Sequence, residues 1–228
     1  MNDSSVTRRQ LGILFTAAGV LMLALLCAHP HENVHTFADV VEFEISRRLV
    51  NGLVHGGMIV LLVPLLAGHI GLARLIGATQ LAMTIAVTAF AGGCIFLAAS
   101  LVLDGFVTPA LALQYRVTQD LALQHTIEPL VHFCGTIIRI LMPAALLAFA
   151  ASALAWCGPL IRAGSRSRIA GAISGAIGLT VGVMMLAVAP AALSHALLGG
   201  LFLVGLWQFA LATAAFNVNG QPPRTVTS

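Results

Sequence analysis

The chain has 228 residues, of which 59% are hydrophobic and only 8% are charged, and its formal net charge is +3. A soluble domain carries about 25% charged residues, so this composition excludes an ordinary water-soluble fold and indicates that lipid is the solvent. The positive charge comes from arginines in the loops rather than from a clustered basic face, which excludes a nucleic-acid partner.

Hydropathy predicts an all-α fold: a polytopic integral membrane protein with six transmembrane helices in one domain, residues 1–228. A span needs about 20 mainly apolar residues. Segments of this kind lie at about 11–28, 50–70, 81–103, 130–156, 169–188 and 192–215. The lipid bilayer is therefore the first predicted partner of this chain.

The long polar interruption from Asp104 to Glu128 predicts an additional helix before the fourth span. Leu113, Val117 and Leu121 recur every four residues, and polar side chains take the other faces. This pattern is typical of an amphipathic helix that lies at the membrane interface instead of crossing the bilayer.

Pro129 predicts where the fourth span begins. Proline disfavours helical geometry in the residue before it, so we expect Glu128 to cap the span and His125 to lie on a separate segment.

The fifth span carries two interleaved rows of small residues, which let helix backbones approach closely. This span is therefore predicted to pack tightly in the bundle. The residues are Gly171, Ser174, Gly175, Gly178 and Gly182.

The placement of the arginines predicts the orientation. With six spans, one side holds Arg8, Arg9, Arg74, the cluster at 162–168 and Arg224, whereas the other side holds seven of the eight acidic residues. The positive-inside rule then places both termini in the cytoplasm, with the protein in the inner (cytoplasmic) membrane. The acidic and histidine-rich loops face outward.

Three histidines enter their predicted spans from the outer side: His55, His132 and His195. At 1.5 Å per residue each lies within about 10 Å of the outer boundary. Imidazole is the commonest metal ligand in proteins, so rings at matched depth on three helices predict a site for a metal ion or haem. The alternative is that each histidine is an ordinary interfacial residue bonded to a neighbour or to water.

Carboxylates accompany these histidines. Glu44, Glu128 and Asp104 lie at the outer ends of spans and are predicted as metal ligands or as partners that orient the rings. Glu44 shares a helical rhythm with Asn51, a candidate cofactor-binding residue. His125 would join the site if the interfacial helix folds back.

Arg139 is predicted to lie about 15 Å inside the fourth span, below His132 and Glu128 on one helical face. A charge at that depth is costly, so Arg139 should face the bundle and bind an anion, a cofactor or a structural carboxylate.

The outer segment carries His29, His31 and His35, which together predict capture of copper or zinc, unless this is simply a polar loop.

Two functions from different classes remain open. The first is a metal- or haem-binding membrane protein, in which haem b would imply electron transfer with a quinone, and copper or zinc would imply metal handling or metal-assisted hydrolysis. The second is a small transporter or a non-catalytic accessory subunit of another membrane protein. Whether the chain is an enzyme is left undecided by the sequence.

Overall fold

The structure is a computed structural model that describes residues 3–30, 36–77, 81–189 and 192–218. Within these ranges the chain is all helical, which confirms the predicted fold class. A five-residue π-helical turn, Leu103–Val107, joins α3 to α4. The helices are α1 (Asp3–Ala28), α2 (Phe37–Ile76), α3 (Leu81–Val102), α4 (Thr108–Val117), α5 (Leu121–Arg162), α6 (Ser165–Ala187) and α7 (Leu193–Asn217).

Six of these helical stretches are long and apolar enough to cross a membrane, with α3, the π turn and α4 counted as one. They form a closed ring in chain order: α1 packs on α2, α2 on α3, α3 on α5, α5 on α6, α6 on α7, and α7 on α1. Neighbours in the sequence are thus neighbours in space, as short connections favour.

A buried histidine, His69, occupies the centre of the ring and is surrounded by aromatic side chains. Its ring stacks on Phe90 with a centroid distance of 3.7 Å, and Phe15 and Trp207 approach it edge-on. The indole Nε1–H of Trp156 donates a hydrogen bond to Nδ1 of His69 over 3.1 Å. Four helices thus each place an aromatic ring around one residue of α2, which fixes their positions relative to one another.

The predicted tight packing of the glycine-rich span is confirmed, because α6 lies directly against the backbone of α5. A Cβ atom added at Gly171 would lie 2.8 Å from the carbonyl oxygen of Cys157. A Cβ at Gly178 would lie at the same distance from the carbonyl oxygen of Ala150. Larger residues at these positions would separate the two helices.

Three of the helical stretches are much longer than a bilayer requires. α2 has 40 residues, α5 has 42, and the stretch from α3 through α4 has 37. At 1.5 Å per residue they measure about 55–63 Å, against a hydrocarbon thickness of about 30 Å. The extra length lies where α1 ends and α7 begins, which is the predicted outer side and is called here the outer end.

Residues from five helical segments line one cavity at the outer end: His29 after α1, His55 of α2, Asp104 of the π turn, Ile138 of α5 and His195 of α7. Residues 37–50, 108–117 and 121–137 lie on the outer side of His55, Asp104 and Ile138 along the chain, and Phe43 of the first segment also lines the cavity. We call these three segments the outer extension.

Aromatic and ionic contacts hold the outer extension together. The ring of Phe37 lies 5.0 Å from that of Tyr115 and 5.5 Å from that of His132, measured between centroids. Arg116 of α4 forms an ion pair with Glu42 of α2. Gln124 of α5 donates a hydrogen bond to the carbonyl oxygen of Tyr115 in α4 over 3.3 Å, so each of the three segments contacts the other two.

The prediction that a helix begins at Pro129 with Glu128 as its cap is wrong. α5 begins at Leu121, where Asp120 caps the helix by accepting the backbone N–H groups of Ala122 and Leu123. Pro129 lies inside this helix, and Glu128 is helical rather than a cap. The proline is tolerated because this stretch is exposed, so water can replace the helical donor that the His125 carbonyl lacks.

The segment predicted to form an interfacial helix is divided in the structure. It comprises the π turn, α4, a non-helical break at residues 118–120 and the first residues of α5. Leu113 and Val117 lie on α4, and Leu121 begins α5.

Candidate metal site

A polar face on α2 forms one wall of the site. Glu44, Asn51 and His55 are spaced by seven and four residues, which places them on one side of the helix, and all three side chains are buried. Arg48, which shares the same rhythm in the sequence, is exposed. The buried face of α2 contacts the π turn that follows α3.

His55 lies between two oxygen atoms. Its Nδ1 is 2.8 Å from the carbonyl oxygen of Asn51, and its Nε2 is 2.9 Å from Oδ2 of Asp104. A carbonyl oxygen can only accept, so Nδ1 carries a hydrogen and donates it. Nε2 then faces a carboxylate, which in its ionised form is also only an acceptor. Either a second proton or a metal ion must therefore lie between Nε2 and Oδ2.

The π turn brings Asp104 this close to His55. A Cβ atom added at Gly105 would lie only 2.4 Å from Cβ of His55, so the histidine packs directly on the glycine backbone. The hydroxyl of Thr108 donates to the carbonyl oxygen of Leu103 over 2.9 Å, across the turn. Single π turns inside α-helices frequently occur at functional sites.

Asn51 connects α2 to the same turn. Its Nδ2 donates to the carbonyl oxygen of Asp104 over 3.2 Å and to Oε2 of Glu44 over 3.4 Å. Glu44, at 7% exposure, thus acts through Asn51 on the position of Asp104 and does not itself reach the His55–Asp104 pair. Glu44 and Asn51, both predicted from the sequence, therefore hold Asp104 in position without joining the His55–Asp104 pair.

His29 completes a group of three metal-ligand side chains. Its ring centroid is 5.0 Å from that of His55, and one ligand atom each from His29, His55 and Asp104 lies within 4.8 Å of the others. A tetrahedral ion bound at about 2.1 Å from each ligand holds its ligand atoms about 3.4 Å apart. The three side chains would therefore have to move together by up to about 1.4 Å to coordinate one ion.

A cavity of about 550 Å³ opens beside this group, between α1, α2, α3, α5 and α7. His29, His55, Asp104 and His195 line it together with apolar side chains. Ser100 also lines it, one turn below Asp104, and its buried Oγ has no hydrogen-bond partner in the described part of the chain. The side chain of Asp104 is 36% exposed, so the site is reachable from the outer end.

Only part of the predicted histidine set converges. His195 lines the cavity wall but is exposed and lies outside the group formed by His29, His55 and Asp104. The prediction that His132 lies at the same depth as His55 is wrong, because Ile138, six residues later on α5, is the residue that faces the cavity. His132 is exposed on the outer extension and contacts Phe37.

The remaining candidates on α5 share one face of the helix, as predicted, but this face points away from the helix bundle. The buried stripe of α5 runs through Ile127, Val131 and Cys134, one position before Glu128 and His132. Arg139 and His125 are exposed, and Glu128 is half-buried.

The expectation that Arg139 faces the bundle interior is therefore corrected. Its side chain is exposed, and it directly follows Ile138, which lines the cavity at the outer end of the ring.

His31 and His35, predicted for metal capture beside His29, lie outside the described residues. Each residue of the group was predicted as a possible metal ligand, His55 and Asp104 at the spans and His29 in the outer segment, whereas the contact between His29 and His55 was not predicted. The sequence signal that could have placed Asp104 beside His55 is Gly105, because a glycine at the end of an apolar span lets another helix approach closely.

Comparisons with protein-family models, with curated proteins and with solved structures find no match for this chain.

Proposed function

We propose that this chain is a membrane protein that binds a transition-metal ion at the outer end of its helix ring and takes part in metal handling. The ligands are His55, Asp104 and His29. The observation that carries the proposal is the pair of oxygen atoms at 2.8 and 2.9 Å from the two ring nitrogens of His55. A metal ion on Nε2 satisfies this arrangement, and an Nδ1–H bonded to a backbone carbonyl is the usual way to orient a metal-binding histidine.

The geometry favours a single copper or zinc ion over haem b. Nε2 of His55 and Oδ2 of Asp104 are 2.9 Å apart, a separation that two ligands of one small ion can have. Iron of a haem on the same Nε2 would place the porphyrin where the carboxylate now lies. A small ion needs no such displacement.

Metal handling is also favoured over electron transfer with a quinone. A path across the bilayer would need a second redox centre nearer the opposite end. The buried His69 lies deeper in the ring, but it accepts a hydrogen bond from Trp156 and its ring is enclosed by aromatic side chains. Its Nδ1 is therefore already used and its buried ring has no open face for a cofactor, although its Nε2 has no hydrogen-bond partner among the described residues.

We also propose that the ring lies in the inner membrane with both termini in the cytoplasm, as the arginine distribution favours. The site then opens to the periplasm. The outer extension would lie at the membrane surface, where the exposed Val117 of α4 and Leu121 of α5 can contact lipid. This retains the predicted interfacial role for α4 and the start of α5.

Metal analysis of the purified protein tests the proposed function. After reconstitution with zinc or copper, elemental analysis should give one tightly bound ion per chain. His55→Ala and Asp104→Asn should each lower metal affinity at least about tenfold, since even residues that only orient the ligands typically contribute 10–100-fold to metal affinity. His125→Ala, an exposed histidine on α5, is the matched control and should bind like the wild type.

A folded wild-type protein that binds neither ion would overturn the proposal. It would favour the alternative of a non-catalytic accessory subunit. One observation supports that alternative: the outer extension and its base expose large apolar side chains, with Leu49 at 75%, Leu53 at 66% and Phe133 at 60% exposure. Such a surface can contact another membrane subunit in place of lipid.

A further inference from the structure

We infer that the proposed site selects copper and holds it as Cu(I), with the thioether sulfurs of Met58 and Met142 as soft ligands. This inference rests on the proposed metal site and adds the identity of the ion. It starts from the cavity next to His29, His55 and Asp104, whose wall includes both methionines.

Met58 lies directly below His55 on α2. It follows His55 by three residues, so the two side chains share one face of the helix, and Met58 is only 1% exposed. Side chains in an α-helix lean toward the helix N-terminus. Because α2 begins at the outer end, Met58 leans toward His55 rather than away from it.

Met142 approaches the cavity from a different side. It belongs to α5, which α3 separates from α2 in the ring, and it lies one turn below Ile138 on the cavity wall. α5 also begins at the outer end, so the side chain of Met142 leans toward the mouth of the cavity as well. Two thioethers from two helices therefore lie on the floor of a cavity that has imidazoles at its mouth.

This combination of donors discriminates between metals. Neutral thioether sulfur is a soft ligand that suits Cu(I). Zinc in proteins is held by thiolate, imidazole and carboxylate, so the methionines would add nothing to zinc binding. Among the described cysteines none lines this cavity. Any sulfur ligand from these residues must therefore be a methionine.

Methionine also serves as a flexible filler of hydrophobic cores, and the experiment must separate this role from metal binding. Leucine has a similar volume and lacks sulfur, so Met58→Leu and Met142→Leu preserve packing while removing the donor. Met184→Leu is the matched control, because Met184 lies on α6 outside the cavity wall.

Purified full-length protein in detergent is titrated with Cu(I) under anaerobic conditions against a chromogenic Cu(I) chelator, and separately with Zn²⁺. The double variant Met58→Leu/Met142→Leu should lose at least about tenfold in Cu(I) affinity and keep its Zn²⁺ affinity. The Met184→Leu control should match the wild type for both ions. X-ray absorption at the copper edge should show sulfur around the ion in the wild type.

Unchanged Cu(I) affinity in the double variant would overturn the copper inference, whereas the metal site would stand if His55→Ala still abolished binding. Failure of the wild type to bind either ion would overturn the proposed function itself. If the double variant does not fold, the absorption spectrum of the wild type decides, because copper without a sulfur neighbour refutes the inference.

Discussion

Gly105→Ala should disturb the candidate site more than any other single-methyl change nearby. The added Cβ would lie 2.4 Å from Cβ of His55 and 2.8 Å from its Cγ. Both atoms are at the base of the histidine, where no flexible end can move away. Either the π turn must separate from α2 or the imidazole must rotate away from Asp104.

Two opposing effects set the magnitude. Replacing a helical glycine by alanine in open space stabilises by about 0.5–1 kcal/mol. Forcing a methyl group into filled space costs about 1–3 kcal/mol. We therefore expect Gly105→Ala to lower the free energy of unfolding by up to about 2 kcal/mol. The displaced ring should also weaken metal binding by about 10–100-fold, as loss of orienting contacts does.

Gly92→Ala on α3 is the matched control, because a Cβ added there meets nothing within 4 Å. Both variants are compared with the wild type by denaturant unfolding in detergent and by metal titration. The control should be slightly stabilised, with unchanged metal affinity. If Gly105→Ala behaves like Gly92→Ala in both measurements, the close packing of His55 on the π turn does not govern the site.

Three further predictions address the site and the ring centre. Asn51→Leu leaves the buried carboxylate of Glu44 without its amide donor, so the free energy of unfolding should fall by about 1–3 kcal/mol. An unchanged denaturation midpoint would contradict this. Trp156→Phe removes the donor to His69 and should destabilise by a similar amount, about 1–3 kcal/mol, while metal affinity stays constant; a loss of metal would instead link the two regions. Metal affinity itself should fall as the pH is lowered through the range in which imidazole takes up a proton, because protons compete for the neutral imidazole of the ligands. Equilibrium dialysis at a series of pH values measures this, and a flat profile would rule out histidine ligands.

The sequence was sufficient to predict six helices that are long and apolar enough to cross a membrane, because hydrocarbon requires such helices and few other folds contain them. It was also sufficient for the polar face of α2, because the spacing of Glu44, Asn51 and His55 places them together on any helix. These predictions depend on local spacing alone. They did not require knowledge of how the helices pack.

The outer extension could not be predicted in the same way. Charged residues in 37–49 and the proline at 129 resemble loop signals, and hydropathy cannot distinguish a loop from a helix that continues into water. α5 begins at Leu121, so His132 lies on the outer extension, and the side chain of Arg139 is exposed instead of facing the bundle. The contact of His29 with His55 depends on where α1 ends relative to α2, which is a tertiary property.

The π turn sets the rotational phase of the chain that follows it. Its i→i+5 bonds accommodate one residue more than an α-helical turn, so α4 is rotated by about 100° relative to a straight continuation of α3. In this phase Tyr115 contacts Phe37 and Arg116 meets Glu42. Removing one residue from Leu103–Val107 would turn both side chains away from α2. The length of this segment is therefore constrained independently of its composition.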